Sequence, residues 1–375
     1  MTRMFIDVHV LQTVPPSNIN RDDTGSPKTA VYGGVRRARV SSQAWKRATR
    51  TEFRELIDPA SLGVRTKRVV ELLAERIGSA IPDPDARLAA AAQVLKDAGI
   101  VLDKPKKRKD KDDAEDLVEQ SKYLLFLSAT QIDRLAQLAI AAAGGTKIDK
   151  SAAKAAANGA DSIDVALFGR MVADSADLNV DAAAQVAHAI SVHAVNNEFD
   201  YYTAVDDRAP EDNAGAGMIG VVEFNSSTLY RYATVNVALL EENLGDRAAT
   251  VHAIETFLKA FVRSMPSGKQ NTFANRTLPD VVVFSVRTDQ PVNLVTAFEE
   301  PVEAIGAARA TTAAKALVTR YSAIESAFGD GATTNFVVTT GDGADALGEI
   351  ATPVSFAAAV AGVTERVRTA LGVSS

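Results

Sequence analysis

Three features of the sequence predict an α+β fold. Segments with the two-residue period of strands lie toward both ends of the chain, and an Ala- and Leu-rich stretch over residues 60–180 has the helical period. With that stretch set aside, the remaining elements run strand, helix, strand, strand, helix, strand. That is the order of a split βαβ, or ferredoxin-like, unit.

The first strand is Met4 to Leu11, with Met4, Ile6, Val8 and Val10 on one face. Residues 12–35 scatter Pro and Gly among Asn, Asp and Ser, which predicts a long loop. The first helix starts where Ser41 or Ser42 supplies an N-cap. In it Trp45, Ala48, Phe53 and Leu56 can face a core, while Lys46 and Arg50 share another face at i, i+4.

Within 60–180, a helix ends at Gly78, and another runs from Pro84 to Gly99 with Pro at its start and Gly at its end. A third follows Thr130 as cap and stops at Gly144. The charged run at 104–116 reads as a solvated loop, with a tethering contact to nucleic acid as the alternative. Gln185–Val195 and Tyr230–Leu240 alternate as the second and third strands. Asp246 caps a helix whose apolar stripe is Val251, Ile254, Leu258 and Phe261, and Pro279–Arg287 is a buried strand. Helices near 310–328 and 354–371 and a strand at 333–340 complete the chain.

Residues 196–229 interrupt the connection between the second and third strands. Their strand-like ends around a Gly-, Pro- and Asp-rich tip predict a projecting β-hairpin arm. The open sheet of a ferredoxin-like unit is also a platform on which RNA is recognised.

Composition narrows the function. With 46% hydrophobic and 23% charged residues among 375, the chain is ordinary globular material and not disordered throughout. No apolar run reaches the roughly 18 residues of a membrane span, and the N-terminus lacks a signal-peptide core; a cytoplasmic protein with no membrane partner is expected. The absence of Cys excludes thiol nucleophiles and thiolate-bound metals and suits a reducing compartment.

Charge is uneven. Val31–Thr51 holds Arg36, Arg37, Arg39, Lys46, Arg47 and Arg50 and no acid; this window carries +6 against a net −6, so the remainder carries −12. A basic island on an acidic body is the footprint of an anion site, or else a solvated helix face. Ser41, Ser42 and Gln43 would stand at a helix N-terminus, where free N–H groups favour phosphate. Several cations in series favour a polynucleotide over a small cofactor.

Other motifs are weak. Gly215–Gly220 spells GxGxxG but opens a strand-like run, so hinge glycines are expected there and not a dinucleotide site. His188 and His193 are five apart, a poor spacing for metal ligands. The pairs Asp22-Asp23 and Asp206-Asp207 could hold Mg²⁺ for phosphodiester cleavage, but turns and salt bridges account for them as well. No cofactor and no metal are expected.

The motifs resemble the CasC family, the repeated backbone subunits of the type I-E CRISPR surveillance complex Cascade. The matching residues are Asn20–Asp23, Gly33 through Ala48 with its Ser41-Ser42-Gln43, Asp164 through Met171, Ala187–Ile190, Thr203–Asp207, Tyr230–Ala233, Glu242–Gly245 and Lys269–Thr272. They occur in order over most of residues 1–275; the last hundred residues match loosely.

The resemblance implies an RNA-recognition-like palm (1–59, 181–200 and 225–375), helical fingers (60–180) and a β-hairpin thumb (201–224). It implies a noncatalytic subunit that polymerises head to tail along CRISPR guide RNA, in about six copies, and presents it to target DNA in antiviral defence. Other Cascade subunits and a recruited helicase–nuclease are the further partners. The alternative is a metal-dependent ribonuclease subunit using the Asp pairs. By motif position, RNA contact is implied for Asn20, Arg21, Lys28, Ser41, Gln43, Lys46, Arg50, Thr203 and Lys269. Arg170 is implied to meet a phosphate, and Met171 to wedge beside a nucleotide displaced by the thumb. The aromatic signatures of ordinary RNA-recognition domains are missing, so gripping of the backbone should outweigh base stacking on the sheet.

Overall fold

The computed structural model describes residues 3–58, 61–105, 118–159, 161–204, 218–329, 333–341 and 344–374. The chain begins β1 (Phe5–Ser17), β2 (Thr29–Tyr32), β3 (Val35–Val40) and α1 (Ser42–Leu56). There follow β4 (Gly63–Thr66), α2 (Val69–Ile77), α3 (Pro84–Asp97), β5 (Leu102–Asp103), β6 (Gln120–Ser121) and β7 (Leu125–Ser128). Next come α4 (Ala129–Ala143), α5 (Lys150–Ala157), α6 (Ile163–Phe168), β8 (Ala184–Val186), β9 (Ala189–Ser191) and β10 (Glu198–Ala204). The rest is β11 (Met218–Asn236), α7 (Val237–Leu244), α8 (Arg247–Arg263), α9 (Gln270–Phe273), β12 (Val281–Arg287), α10 (Arg309–Phe328), β13 (Thr334–Thr339), α11 (Ala344–Leu347) and α12 (Phe356–Leu371).

The chain divides into two units, one of residues 1–53, 185–235 and 254–375, the other of residues 54–184 and 236–253. The first unit is built on a sheet in the order β13, β12, β1, β11, β9, β3, β2, with β8 and β10 also paired to β11. Its contiguous core, β12–β1–β11–β9, uses the four segments expected as strands, three from their alternation and β12 as a buried run. Val8 stands opposite Phe284 and Val10 opposite Val282 in the antiparallel β1–β12 pair.

Several boundaries differ from the sequence expectation. β1 runs on to Ser17, and the expected loop over 12–35 holds the β2–β3 hairpin. Gly33 and Gly34 both have positive φ in its two-residue turn, as a primed hairpin turn requires. At Gly33 a Cβ would also lie 1.6 Å from the Glu299 carbonyl oxygen, so only glycine fits. The third strand stops at Asn236, whose side chain caps α7 by accepting from Leu239 N–H at 3.2 Å. Ser128, not Thr130, caps α4, in a reciprocal capping box with Gln131.

The sheet is not the open platform expected. All of β12 is buried, as is β1 from Phe5 through Gln12, so both faces are covered. On one face Leu11, Tyr230 and Val283 pack with Leu294, Phe298 and, from α10, Ala313 and Leu317. On the other Phe284 meets Phe356 of α12, ring centres 6.4 Å apart.

The second unit is mainly helical around Val70, Leu73, Val94, Leu95, Leu135 and Ala139. Asp83 caps α3 by accepting from Ala86 N–H at 2.8 Å, with Pro84 in the first turn. Two short strand pairs, β4–β7 and β5–β6, close its edges.

Candidate nucleic-acid interface

The first unit contains an open cleft of about 1210 Å³. One wall is the loop from Ile19 to Gly25, the second is one side of α1, and the third is the segment from Ser264 to Gln270 with Arg276. Five expected contact residues line it: Asn20, Arg21, Ser41, Gln43 and Lys269.

The walls are tied together by short bonds. Asn20 Oδ1 accepts from the Ser41 N–H at 2.8 Å, joining the loop to the start of α1. Ser41 is the N-cap: its hydroxyl oxygen accepts from Ala44 N–H at 3.3 Å. The first turn of α1 thus opens on the cleft, and helix first turns carry N–H groups that attract phosphate. Gly268 passes so close to the loop that a Cβ would lie 2.4 Å from the Ile19 carbonyl oxygen. Lys269 and Ala274, bracketing α9, hold left-handed backbone at φ 53 and 46, a costly conformation for side-chain-bearing residues that tends to occur at binding sites.

Lys28 stands beside the cleft. Its N–H donates to the Asn20 carbonyl at 2.9 Å, and it lines a small adjoining cavity with Asn20, Arg39, Asn225 and Ser227.

The helical wheel of α1 corrects the expected face. Trp45, Thr49 and Phe53 are buried. Gln43, Arg47 and Thr51, four apart, face the cleft, with Ala44 and Ala48 between them. Ala48 therefore lines the cleft and is not a core residue. Lys46 and Arg50 are half-buried on a different face and do not line the cleft. Burial lowers the Lys46 pKa. Arg47 and Arg276 also line the cleft and were not among the expected residues; the i, i+4 spacing from Gln43 to Arg47 is the signal that places the first.

Two arginines are structural. Arg170 is 5% exposed, in the second unit. It donates to the carbonyls of Leu178 at 2.6 Å and Phe126 at 3.3 Å and to Gln131 Oε1 at 2.9 Å. Asp161 is 3.6 Å away. The expected phosphate contact there is corrected: the guanidinium is spent on the unit's own carbonyls. Arg37, within the basic island, is likewise buried and donates to the carbonyls of Phe298 and Glu299 at 2.9 and 3.0 Å.

Met171 is 80% exposed, which excludes a core role. Thr203 sits in β10, opposite Ile219 of β11. On that face of the hairpin Phe199, Tyr201, Ile219 and Val221 are all exposed. Gly220 of the GxGxxG run lies under the ring of Tyr202, where a Cβ would sit 2.4 Å from the ring carbon. Close packing explains this glycine better than a hinge. Gly215, the Asp206-Asp207 pair, the arm's tip and nearly all of the 104–116 run lie outside the described residues.

Asp22 and His193 are locally committed. Asp22 Oδ1 accepts from the Thr24 hydroxyl and N–H and from Ser26 N–H, at 2.7, 2.9 and 3.0 Å. The Thr24 hydroxyl is the main cause of its lowered pKa. His193 Nδ1 donates to Ala194 O at 2.8 Å, while Nε2 accepts from Thr228 N–H at 3.2 Å. Among the described residues no group of three or more His, Asp or Glu is placed to hold a metal. Nor is any helix among them long and apolar enough to cross a membrane.

Comparison with known proteins decides the family: the CT1975-like protein family matches residues 6–360. The chain belongs to that family. Among solved structures, a chain of a "CRISPR RNA-guided surveillance complex, pre-nicking" is 35% identical, with a TM-score of 0.85, covering 97% of this chain and all of the other. A chain of a "CRISPR RNA-guided surveillance complex" is 29% identical, with a TM-score of 0.75, covering 96% of this chain and 99% of that one. No curated protein matches. The CT1975-like family and these structures agree with the resemblance carried by the sequence motifs.

Proposed function

We propose that this CT1975-like chain is a noncatalytic backbone subunit of a CRISPR surveillance complex, binding guide RNA along the cleft of its first unit. The observation that carries the reading is the convergence of Asn20, Arg21, Ser41, Gln43 and Lys269, from three distant segments, on one polar cleft. The likeness to surveillance-complex chains over 97% of the sequence supports it.

In this reading the β12–β1–β11–β9 sheet is the palm, the Ala-rich helices are the fingers and the β10–β11 hairpin is the thumb. Both faces of the sheet are buried, so bases have no platform to stack on. The protein holds phosphates and ribose, and sequence is read by pairing between guide and target DNA. Further copies add head to tail, about six in number, a heterologous contact that propagates until capped. Met171 wedges beside a displaced nucleotide, and a separate helicase–nuclease cuts the DNA. Cleavage by Asp pairs is the weaker reading, since Asp22 is committed to its own turn.

Salt-dependent binding of labelled oligouridylate tests the cleft. Each phosphate neutralised on a single strand contributes a slope of about 0.7. Arg21→Ala with Lys269→Ala should lower the slope by about 1.4 and weaken all sequences alike. An unchanged slope refutes RNA binding in the cleft, and Mg²⁺-dependent loss of full-length RNA refutes a noncatalytic subunit.

A further inference from the structure

The cleft holds four cations, Arg21, Arg47, Lys269 and Arg276, and three acids, Asp22, Asp23 and Glu52. They are not equivalent. Arg21, Arg47 and Lys269 pair with no carboxylate among the described residues, whereas Arg276 Nη2 lies 3.7 Å from Glu52 Oε2. That contact joins the α1 wall to the 264–276 wall. It is too long for a hydrogen bond, and the same nitrogen lies 3.4 Å from the Arg263 carbonyl oxygen, to which it donates. Arg276 is 67% exposed and Glu52 23%. The guanidinium therefore lines the cleft with one Nη shared between a long bond to the Arg263 carbonyl and a loose carboxylate.

A phosphate oxygen makes a shorter, paired contact with a guanidinium than this carboxylate does. Arg47 projects from α1 in the same cleft, one turn before Thr51 and Glu52, with only Ala44 and Ala48 as small neighbours on that side. The small side chains leave room for a sugar–phosphate backbone alongside the helix.

Building on the RNA reading of the cleft, we propose that Arg47 and Arg276 are a further phosphate-binding pair, and that Glu52 is an internal competitor which RNA displaces from Arg276. Entry of the strand exchanges the Glu52–Arg276 ion pair for an Arg276–phosphate pair. Glu52 keeps Arg276 extended across the cleft when no strand is present and weakens binding when one is.

The test is binding of labelled oligouridylate to the full chain across a salt series. Arg276→Ala and Arg47→Ala should each lower the salt slope by about 0.7. Glu52→Gln should tighten binding about two- to fivefold, the range of a surface ion pair. That gain should disappear in an Arg276→Ala background. A gain that persists without Arg276 overturns the exchange, because it is then general repulsion between Glu52 and RNA. Unchanged affinity and slope in both arginine variants, with Arg21→Ala still weakening binding, overturns the pair and leaves the cleft reading intact. If Arg21→Ala is also silent, both fall. Thermal melts of the variants should match the parent, and Arg276→Gln serves if Arg276→Ala melts low.

Discussion

The guanidinium carbon of Arg231 lies 3.7 Å from the centre of the Trp45 ring, and 4.7 Å from that of Phe261. Arg231 is 1% exposed and has no carboxylate partner among the described residues. It donates to Gln12 Oε1 at 2.6 Å and to the Phe261 carbonyl. Gln12 in turn donates to the Thr277 carbonyl at 2.9 Å. Two walls of the cleft, α1 through Trp45 and the segment ending at Arg276, thus rest on one buried cation. Burial lowers its pKa to about 9.

Arg231→Ala should be among the most damaging single changes. It empties the space under Trp45 and leaves Gln12 Oε1 buried without a donor, together about 3–5 kcal/mol. Arg231→Met fills the space and should recover much of the loss, since replacing a buried charge by an apolar group of similar volume is often near neutral. Urea denaturation of both variants measures this; equal stability of Arg231→Ala and the parent refutes the stacking role.

The contrast between Arg231, Arg37 and Arg170 on one side and Arg21, Arg47 and Arg276 on the other marks what was legible. The strand and helix periods located the central sheet and α1, because their burial is local and periodic. The motifs placed five residues that share the cleft. Periodicity could not separate a buried arginine bonded to carbonyls from one facing the cleft: Arg36, Arg37 and Arg39 are alike in sequence, and it is the carbonyls of Ser191, Phe298 and Glu299, far away in the chain, that hold Arg37. The covered sheet was hidden for a similar reason. The segment carrying Leu294 and Phe298 has no periodic pattern, and its docking on the sheet depends on Asp7 and Tyr230, far away in the chain.

That docking predicts a pH dependence. Asp7 accepts from the Tyr232 hydroxyl and Val292 N–H, both at 2.9 Å, and burial raises its pKa to about 6. Burial lowers His9 to about 3 and His193 to about 4. As pH falls from 6 to 4, the two histidines protonate only in the unfolded chain, which costs stability. Asp7 protonates only in the folded chain over that range, which restores part of it. The net is about one proton, so about 1.4 kcal/mol lost per pH unit. Asp7→Asn removes the offset, and its stability should fall about twice as steeply below pH 6. Parallel acid profiles of variant and parent would contradict the assignment.

Gly220 and Tyr202 are directly opposite in the β10–β11 register. Gly220→Ala places a methyl in the Tyr202 ring and should open the hairpin locally, raising amide exchange over 198–204 and 218–224 while leaving the global melt unchanged. Adding Tyr202→Ala should restore protection. If the double variant exchanges as fast as Gly220→Ala alone, the clash is not the cause.

Met171 is solvent-exposed, so Met171→Ala should change stability by less than about 0.5 kcal/mol. In the assembled complex it should loosen guide–target pairing, read as faster target dissociation. A large stability loss with unchanged pairing would refute the wedge.

The thumb assignment is open to a surgical deletion. Ala204 and Met218 are opposed in the last pair of the β10–β11 register, the position from which a two-residue turn closes a hairpin, as between Tyr32 and Val35. Replacing residues 205–217 by Asn-Gly, a sequence suited to a type I′ turn, should therefore leave a folded protein with the cleft intact. A shortened hairpin cannot reach over the strand. Under the proposed thumb reading, the variant should keep RNA affinity through Arg21 and Lys269 but lose a regular alternation of protected and exposed nucleotides on guide RNA. Nuclease footprinting on guide RNA reads the pattern directly. A persistent periodic footprint means that the β10–β11 hairpin is not the element that displaces nucleotides. Loss of binding altogether means that the arm, and not the cleft, supplies the main grip.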